Sequence, residues 1–257
     1  MAHIALVGAM QEELAAVLAC MPDAHCETVA GRDFWLGHWH GHEVVAVLSR
    51  IGKVAAASTA TVLLERFSVQ RVLFTGVAGG LARSMKVGDV VVATDLLQHD
   101  MNASPLFPQY EVPLTGRAFF ATDPRMTQAL VESAHAVLGQ VRHAHEASPF
   151  LSLQSIQNFG LQHVQVHQGL VLSGDQFVAS AAESRRLQQA LPQALAVEME
   201  GAALAQVCHD YGVPLAVLRT ISDRADDDAH TDFTKFIQEV ASRYSAAIVA
   251  EFLQRFT

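Results

Sequence analysis

Six short segments of the chain hold the residue types that acid–base chemistry on a small molecule needs. They are Gly8-Ala9-Met10-Gln11-Glu12-Glu13, Ser49-Arg50-Ile51-Gly52-Lys53, Thr75-Gly76-Val77-Ala78-Gly79-Gly80, Ser173-Gly174-Asp175-Gln176-Phe177, Glu198-Met199-Glu200 and Ser222-Asp223. Each brings a carboxylate, a glycine or both, and most add apolar residues. Carboxylates take and give protons, glycines let a ligand approach the backbone, and apolar walls keep water out. The implied chemistry is bond cleavage or transfer on a small molecule, assisted by acid and base.

These segments need a frame that brings them to one edge. Short apolar runs at Ile4–Val7, Glu43–Leu48, Val72–Thr75, Val90–Ala93, Val166–Leu172 and Leu215–Ile221 read as strands. Helical spacing is seen at Met10–Met21, Lys53–Phe67, Pro124–Leu138, Ala181–Leu191, Met199–Tyr211 and Asp232–Phe256. Thr122 and Asp123 offer a cap to the third of these helices, and Gly212 with Pro214 closes the fifth. Near-continuous apolar strands alternating with helices predict a three-layer α/β/α domain around a central mixed, mostly parallel sheet. Gly37–Gly41 reads as a hairpin, which supplies the antiparallel part. In such open sheets ligands bind beyond the carboxyl ends of the strands, where most of the six segments lie. The helical pattern lapses from Gln140 to Gln165, so a mobile insertion loop is expected there.

Composition bounds the function classes. Of 257 residues, 51% are hydrophobic and 17% charged, enough apolar mass for one large core, so residues 1–257 are read as a single domain. A net charge of −9 disfavours nucleic acid as a partner. No run of roughly 18 apolar residues suggests a membrane span. The N-terminus carries no signal pattern, and Cys20, Cys26 and Cys208 do not form a disulfide framework, so a soluble cytoplasmic protein is expected. Gly76–Gly80 lacks the spacing of a dinucleotide fingerprint, so no cofactor is expected. His38, His40 and His42 alternate beside Gly41, and His143 and His145 sit in the polar stretch. Both groups read as solvated histidines, and no metal site is assigned.

In their order, GAMQEE, SRIGKVAAA, TGVAGGL, SGDQF, VEMEGAA and RTISDRAD resemble the nucleoside phosphorylase superfamily, and within it the methylthioadenosine/S-adenosylhomocysteine nucleosidase family. The resemblance runs from Ile4 to Phe252. It implies hydrolysis of the N-glycosidic bond of an adenine nucleoside, as in methionine salvage. It further implies that Glu13 activates the attacking water and that Asp223, oriented by Ser222, protonates adenine N7. Glu200 would grip the ribose hydroxyls, with Met199 and Met10 against the sugar. Phe177 would stack on the base, the Val178 backbone would meet the purine edge, and Ala78 would line the base pocket. Ile51 and Phe233 would wall the alkylthio end. A homodimer is implied too, using part of Leu96–Pro113, with Leu106, Phe107 and Tyr110 as candidate capping groups. The residue types suit the chemistry. Cleavage builds oxocarbenium character at C1′, and adenine leaves well only when protonated, so one carboxylate serves the water and one acid the base. Burial of Asp223 would help it hold that proton.

Two positions bear on the nucleophile. Related phosphorylases place an arginine before the glycine-rich segment and a serine within it. Here these are Phe74 and Val77, a pair that cannot cradle a dianion. Water is therefore the expected nucleophile, although Arg50 adds a cation in a loop that is neutral in most nucleosidases. The alternatives are another 5′-modified adenine nucleoside such as aminodeoxyfutalosine or 5′-deoxyadenosine, a phosphorylase, and a nucleoside sensor without turnover. Glu198 and Glu200 flank Met199, and either could serve only as a helix cap.

Overall fold

The computed structural model describes residues 3–142, 148–225 and 236–256. Phe233, His143 and His145, and the start of the expected terminal helix, lie outside them. The apolar run after the N-terminus forms β1 (His3–Gly8), followed by α1 (Gln11–Leu18). A meander of β2 (His25–Val29), β3 (Arg32–Trp39) and β4 (His42–Leu48) comes next, then α2 (Lys53–Arg66) and β5 (Val69–Gly80). β6 (Val90–Gln98), β7 (Phe119–Ala121) and α3 (Pro124–Arg142) lead to α4 (Leu153–Asn158), a short 3-10 turn (Leu161–His163) and β8 (Val166–Ser173). α5 (Ala181–Ala190), β9 (Ala194–Glu198), α6 (Gly201–Tyr211) and β10 (Leu215–Asp223) come after them. The chain ends in a π-helical turn (Ile237–Ala241) running into α7 (Ser242–Arg255).

The fold is the expected α/β one, with a mixed sheet. Its long central pairings, β4 with β1, β1 with β5, β5 with β10, β6 with β8 and β8 with β9, are parallel. The β2–β3–β4 meander and the pairings β5–β9, β6–β7 and β6–β10 are antiparallel. The hairpin at Gly37–Gly41 turns on His40 and Gly41, both at positive φ. One apolar cluster, built on α1, α3 and α7, covers one sheet face. A second, built on α2 and α6, covers the other.

Two segments differ from expectation. Gly76–Gly80, expected to lie beyond the end of its strand, instead continues β5. The glycines there serve close approach instead of turning. A Cβ on Gly76 would stand 2.1 Å from Arg219 Nη1, and one on Gly79 would meet Ala225 Cβ at 2.9 Å. With no side chains in the way, β5 runs on, and Gly79 pairs with Asp223 of β10 on one side and Val197 of β9 on the other. That closes β5, β10, β6, β8 and β9 into a ring, and it gathers the strand ends that carry the carboxylates. The second difference is the expected loop at 140–165. α3 runs to Arg142, and α4 is capped by Ser152 Oγ, which accepts the Ser155 N–H at 3.1 Å. Leu151, Ile156, Leu161 and Val164 are buried in the first apolar cluster. Among the described polar residues there, Ser152, Gln157, Asn158, Gln162 and His163 are exposed on this short amphipathic piece.

Candidate active site

Where β1, β5, β8, β9 and β10 end, the chain leaves a cleft with mostly apolar walls and a few convergent polar groups, the composition of a small-molecule site. Nine of the eleven residues singled out from the sequence line it: Met10, Ile51, Ala78, Phe177, Val178, Met199, Glu200, Ser222 and Asp223. Glu13 stands behind this lining, and Phe233 is outside the described residues. Ala9, Val77, Gly79, Gln176, Val197 and Glu198 complete the wall.

Glu13 sits in the first turn of α1, 1% exposed. Its Oε2 accepts the N–H groups of Ala9 and Met10, each at 3.1 Å. Those are donors at a helix start, so one oxygen of Glu13 acts as a helix cap. The other oxygen, Oε1, is buried and has no hydrogen-bond partner. Burial pushes the carboxyl up to about 7, against the pull of the Arg219 charge and of the two N–H groups.

Arg219 is the buried charged residue at the site that sequence reasoning did not single out. It lies inside β10 and is the one buried arginine or lysine among the described residues, at 0% exposure. Its guanidinium stacks on the Phe74 ring at 3.9 Å, and its Nη2 donates to Glu198 Oε2 at 2.5 Å. Nη1 and Nε have no partner. The signal was available: a single arginine inside the apolar run Leu215–Ile221 must be paired or functional. Phe74, noted only for replacing an arginine, is thus the aromatic floor of a different one.

The junction of β9 and α6 separates the two glutamates. Glu198 is the cap. It accepts the Gly201 N–H at 2.9 and 3.0 Å, the Glu200 N–H at 3.1 Å and the Ser173 hydroxyl, besides Arg219. Glu200 faces the cleft, and its Oε1 accepts the Gly52 N–H at 3.0 Å. Burial, reinforced by the nearby Glu198 charge, raises its carboxyl to about 7, with Arg219 pulling the other way.

At the opposite end Asp223 is 7% exposed. Its Oδ2 accepts the Ser222 hydroxyl at 2.8 Å and its Oδ1 accepts the Ala225 N–H at 2.7 Å. Phe177 and Ile51, 45% and 60% exposed, stand at the rim. Arg50 is turned away, donating to the Gly31 carbonyl. The three hairpin histidines find separate partners: His38 meets Asp23 at 2.7 Å, His40 meets Gln254, and His42 meets the Leu253 carbonyl. No three metal-ligating side chains come together among the described residues. Nor is any described helix long and apolar enough to cross a membrane.

Chemically, this is a largely apolar cleft, open at the Ile51 and Phe177 rim, with a carboxylate of free lone pair on one side and a hydroxyl-oriented carboxyl on the other. A model of the phosphorylase superfamily matches residues 3–254. The 5′-methylthioadenosine/S-adenosylhomocysteine nucleosidase of Anoxybacillus flavithermus is 36% identical over 246 residues, 96% of each chain. The solved structure of the nucleosidase of that name from Neisseria meningitidis, in complex with methylthio-immucillin-A, superposes with a TM-score of 0.85 at 31% identity over the whole of both chains. A structure of a futalosine hydrolase mutant of Helicobacter pylori gives 0.83 at 32% identity, again over both whole chains. The chain therefore belongs to the phosphorylase superfamily and, within it, to the 5′-methylthioadenosine/S-adenosylhomocysteine nucleosidase family.

Proposed function

We propose that this protein hydrolyses the N-glycosidic bond of 5′-methylthioadenosine and S-adenosylhomocysteine, releasing adenine and the thioribose. The observation that carries the choice of water over phosphate is the charge around Arg219. Glu198 is bonded to it, and Glu13 and Glu200 both feel its field, so three carboxylates surround one buried cation. A phosphate dianion would meet net negative charge and the apolar Phe74 and Val77. Arg50, the remaining candidate, is committed to Gly31.

In this reading Glu13 Oε1 takes the proton of the attacking water, and the free Nη1 of Arg219 helps hold that water. Asp223, oriented by Ser222, protonates adenine N7. Glu200 grips the ribose hydroxyls beside Met199 and Met10. Phe177 stacks on the base, the Val178 backbone meets its edge, and Ala78 lines the base pocket. Ile51 and Phe233 wall the 5′ tail. No metal or cofactor takes part. The proposal includes one domain over residues 1–257, a cytoplasmic location, a place in methionine salvage, and a homodimer using part of Leu96–Pro113. Leu106, 84% exposed, supports the dimer as a residue that needs a cover.

Adenine release should proceed equally with and without phosphate. Release that requires phosphate and yields a sugar 1-phosphate would overturn the reading. A second substrate reading, another 5′-modified adenine nucleoside, is favoured by the exposed Ile51 rim and the futalosine hydrolase likeness. A preference of more than about tenfold for a tail other than methylthio, about 1.4 kcal/mol, would select it.

A further inference from the structure

Two motif residues that the proposed chemistry leaves unused, Lys53 and Asp175, meet Asp100 in one knot outside the lining of the cleft. Lys53 opens α2, directly after Gly52, whose N–H holds the Glu200 carboxylate. The Lys53 ammonium, with its side chain 15% exposed, donates to Asp100 Oδ1 at 2.7 Å and to Gln98 Oε1 at 3.2 Å. Its backbone N–H donates to Asp175 Oδ1 at 2.8 Å, and the Asp175 N–H donates to Asp100 Oδ2 at 2.9 Å. The loops before α2, after β6 and after β8 are thereby tied together.

We propose that Lys53 is a positioning residue for the sugar end of the cleft: its ammonium, held by Asp100 and Gln98, fixes the first turn of α2 so that Gly52 presents its N–H to Glu200. Gly52 has φ +94, a backbone state that few residues adopt, so the direction of its N–H depends on how its neighbour Lys53 is held. A partly buried ammonium with a carboxylate and an amide oxygen as acceptors is a firm anchor for that neighbour. Replacing the Lys53 side chain leaves its backbone N–H donating to the Asp175 carboxylate, so the loop carrying Gln176 and Phe177 keeps that tie. Asp100 also accepts the Asp175 N–H, so replacing Asp100 loosens that loop as well. This inference rests on the assignment of Glu200 to the ribose.

Lys53→Met should raise KM for the nucleoside about tenfold and change kcat less than about threefold. Inhibition by free adenine, which has no ribose, should stay within about twofold. Asp100→Asn should act in the same direction, and the double variant should be no worse than the worse single one, as for one coupled unit. Lys53→Arg should recover part of the loss. If Lys53→Met fails to fold, Lys53→Gln, which removes the charge and keeps the backbone donor to Asp175, carries the test. A wild-type protein that turns over nucleosides, with an unchanged KM in both variants, overturns this inference alone. So does a loss of adenine affinity in step with the KM change in the Lys53 variant. A wild-type protein that releases no adenine overturns the ribose assignment, and this inference with it.

Discussion

At the Glu13 end of the cleft a carboxylate keeps one oxygen free, whereas at the Asp223 end both carboxyl oxygens are engaged. Glu13 is held by two backbone N–H groups on Oε2, which leaves Oε1 buried and open toward Arg219. Asp223 is held by a hydroxyl on one oxygen and a backbone N–H on the other. A group that must strip a proton from water needs an unoccupied lone pair and a raised pKa. A group that must deliver a proton to one ring nitrogen needs a fixed direction, which Ser222 supplies. Two carboxylates in one cleft are therefore differentiated by who donates to them, as in glycoside cleavage.

The sharpest break of this comparison is to neutralise each end in turn. Asp223→Asn and Glu13→Gln should each lower kcat on the adenine nucleoside by about 10²–10⁴-fold, the usual worth of an acid or base. Steady-state adenine release measures this, and a loss under about tenfold in either would remove that residue from its role. Arg219→Met comes next. It leaves Glu198 as an uncompensated buried charge, so unfolding in urea should show a loss of about 3–5 kcal/mol. A loss under about 1 kcal/mol would mean that the ion pair does not anchor β9 to β10.

The smallest effect concerns pH and has a definite sign. The Glu13 carboxyl lies at about 7 in the folded protein against 4.5 when free. Protonated Glu13 is the form the fold prefers. Its favourable contribution is complete below pH 4.5 and is lost as pH rises through about 7. Glu13→Gln should thus be more stable than the wild type at neutral pH, by on the order of 1–3 kcal/mol, with the gain shrinking toward pH 4.5. The same value predicts a kcat/KM that falls as pH drops below about 7, since the base must be ionised. Stability that differs equally at all pH values would contradict the free, desolvated Oε1.

Residue types alone made the strands legible, because the apolar runs became strands, and they pointed to the segments that meet at one edge. The nine predicted residues that line the cleft were singled out by the family resemblance. The features that stayed hidden share a physical cause: they depend on three-dimensional approach. Gly76 and Gly79 look like turn glycines until Arg219 and Ala225 occupy the space where their side chains would be. Glu198 and Glu200 are indistinguishable in sequence, and only the donors around Glu198 show which one is the cap. α4 escaped because six residues with two buried members give too little periodicity to read. β2 and most of β3 escaped because polar and charged residues interrupt their alternation, and β2 is an edge strand with mostly exposed side chains.

The division of labour is tested most directly by exchanging the leaving group. On a 4-nitrophenyl riboside, whose leaving group departs without protonation, Asp223→Asn should recover most of the activity it loses on the adenine nucleoside, while Glu13→Gln should stay as impaired as before. Equal losses for the two variants on both substrates would contradict the account, because the two carboxylates would then share one role.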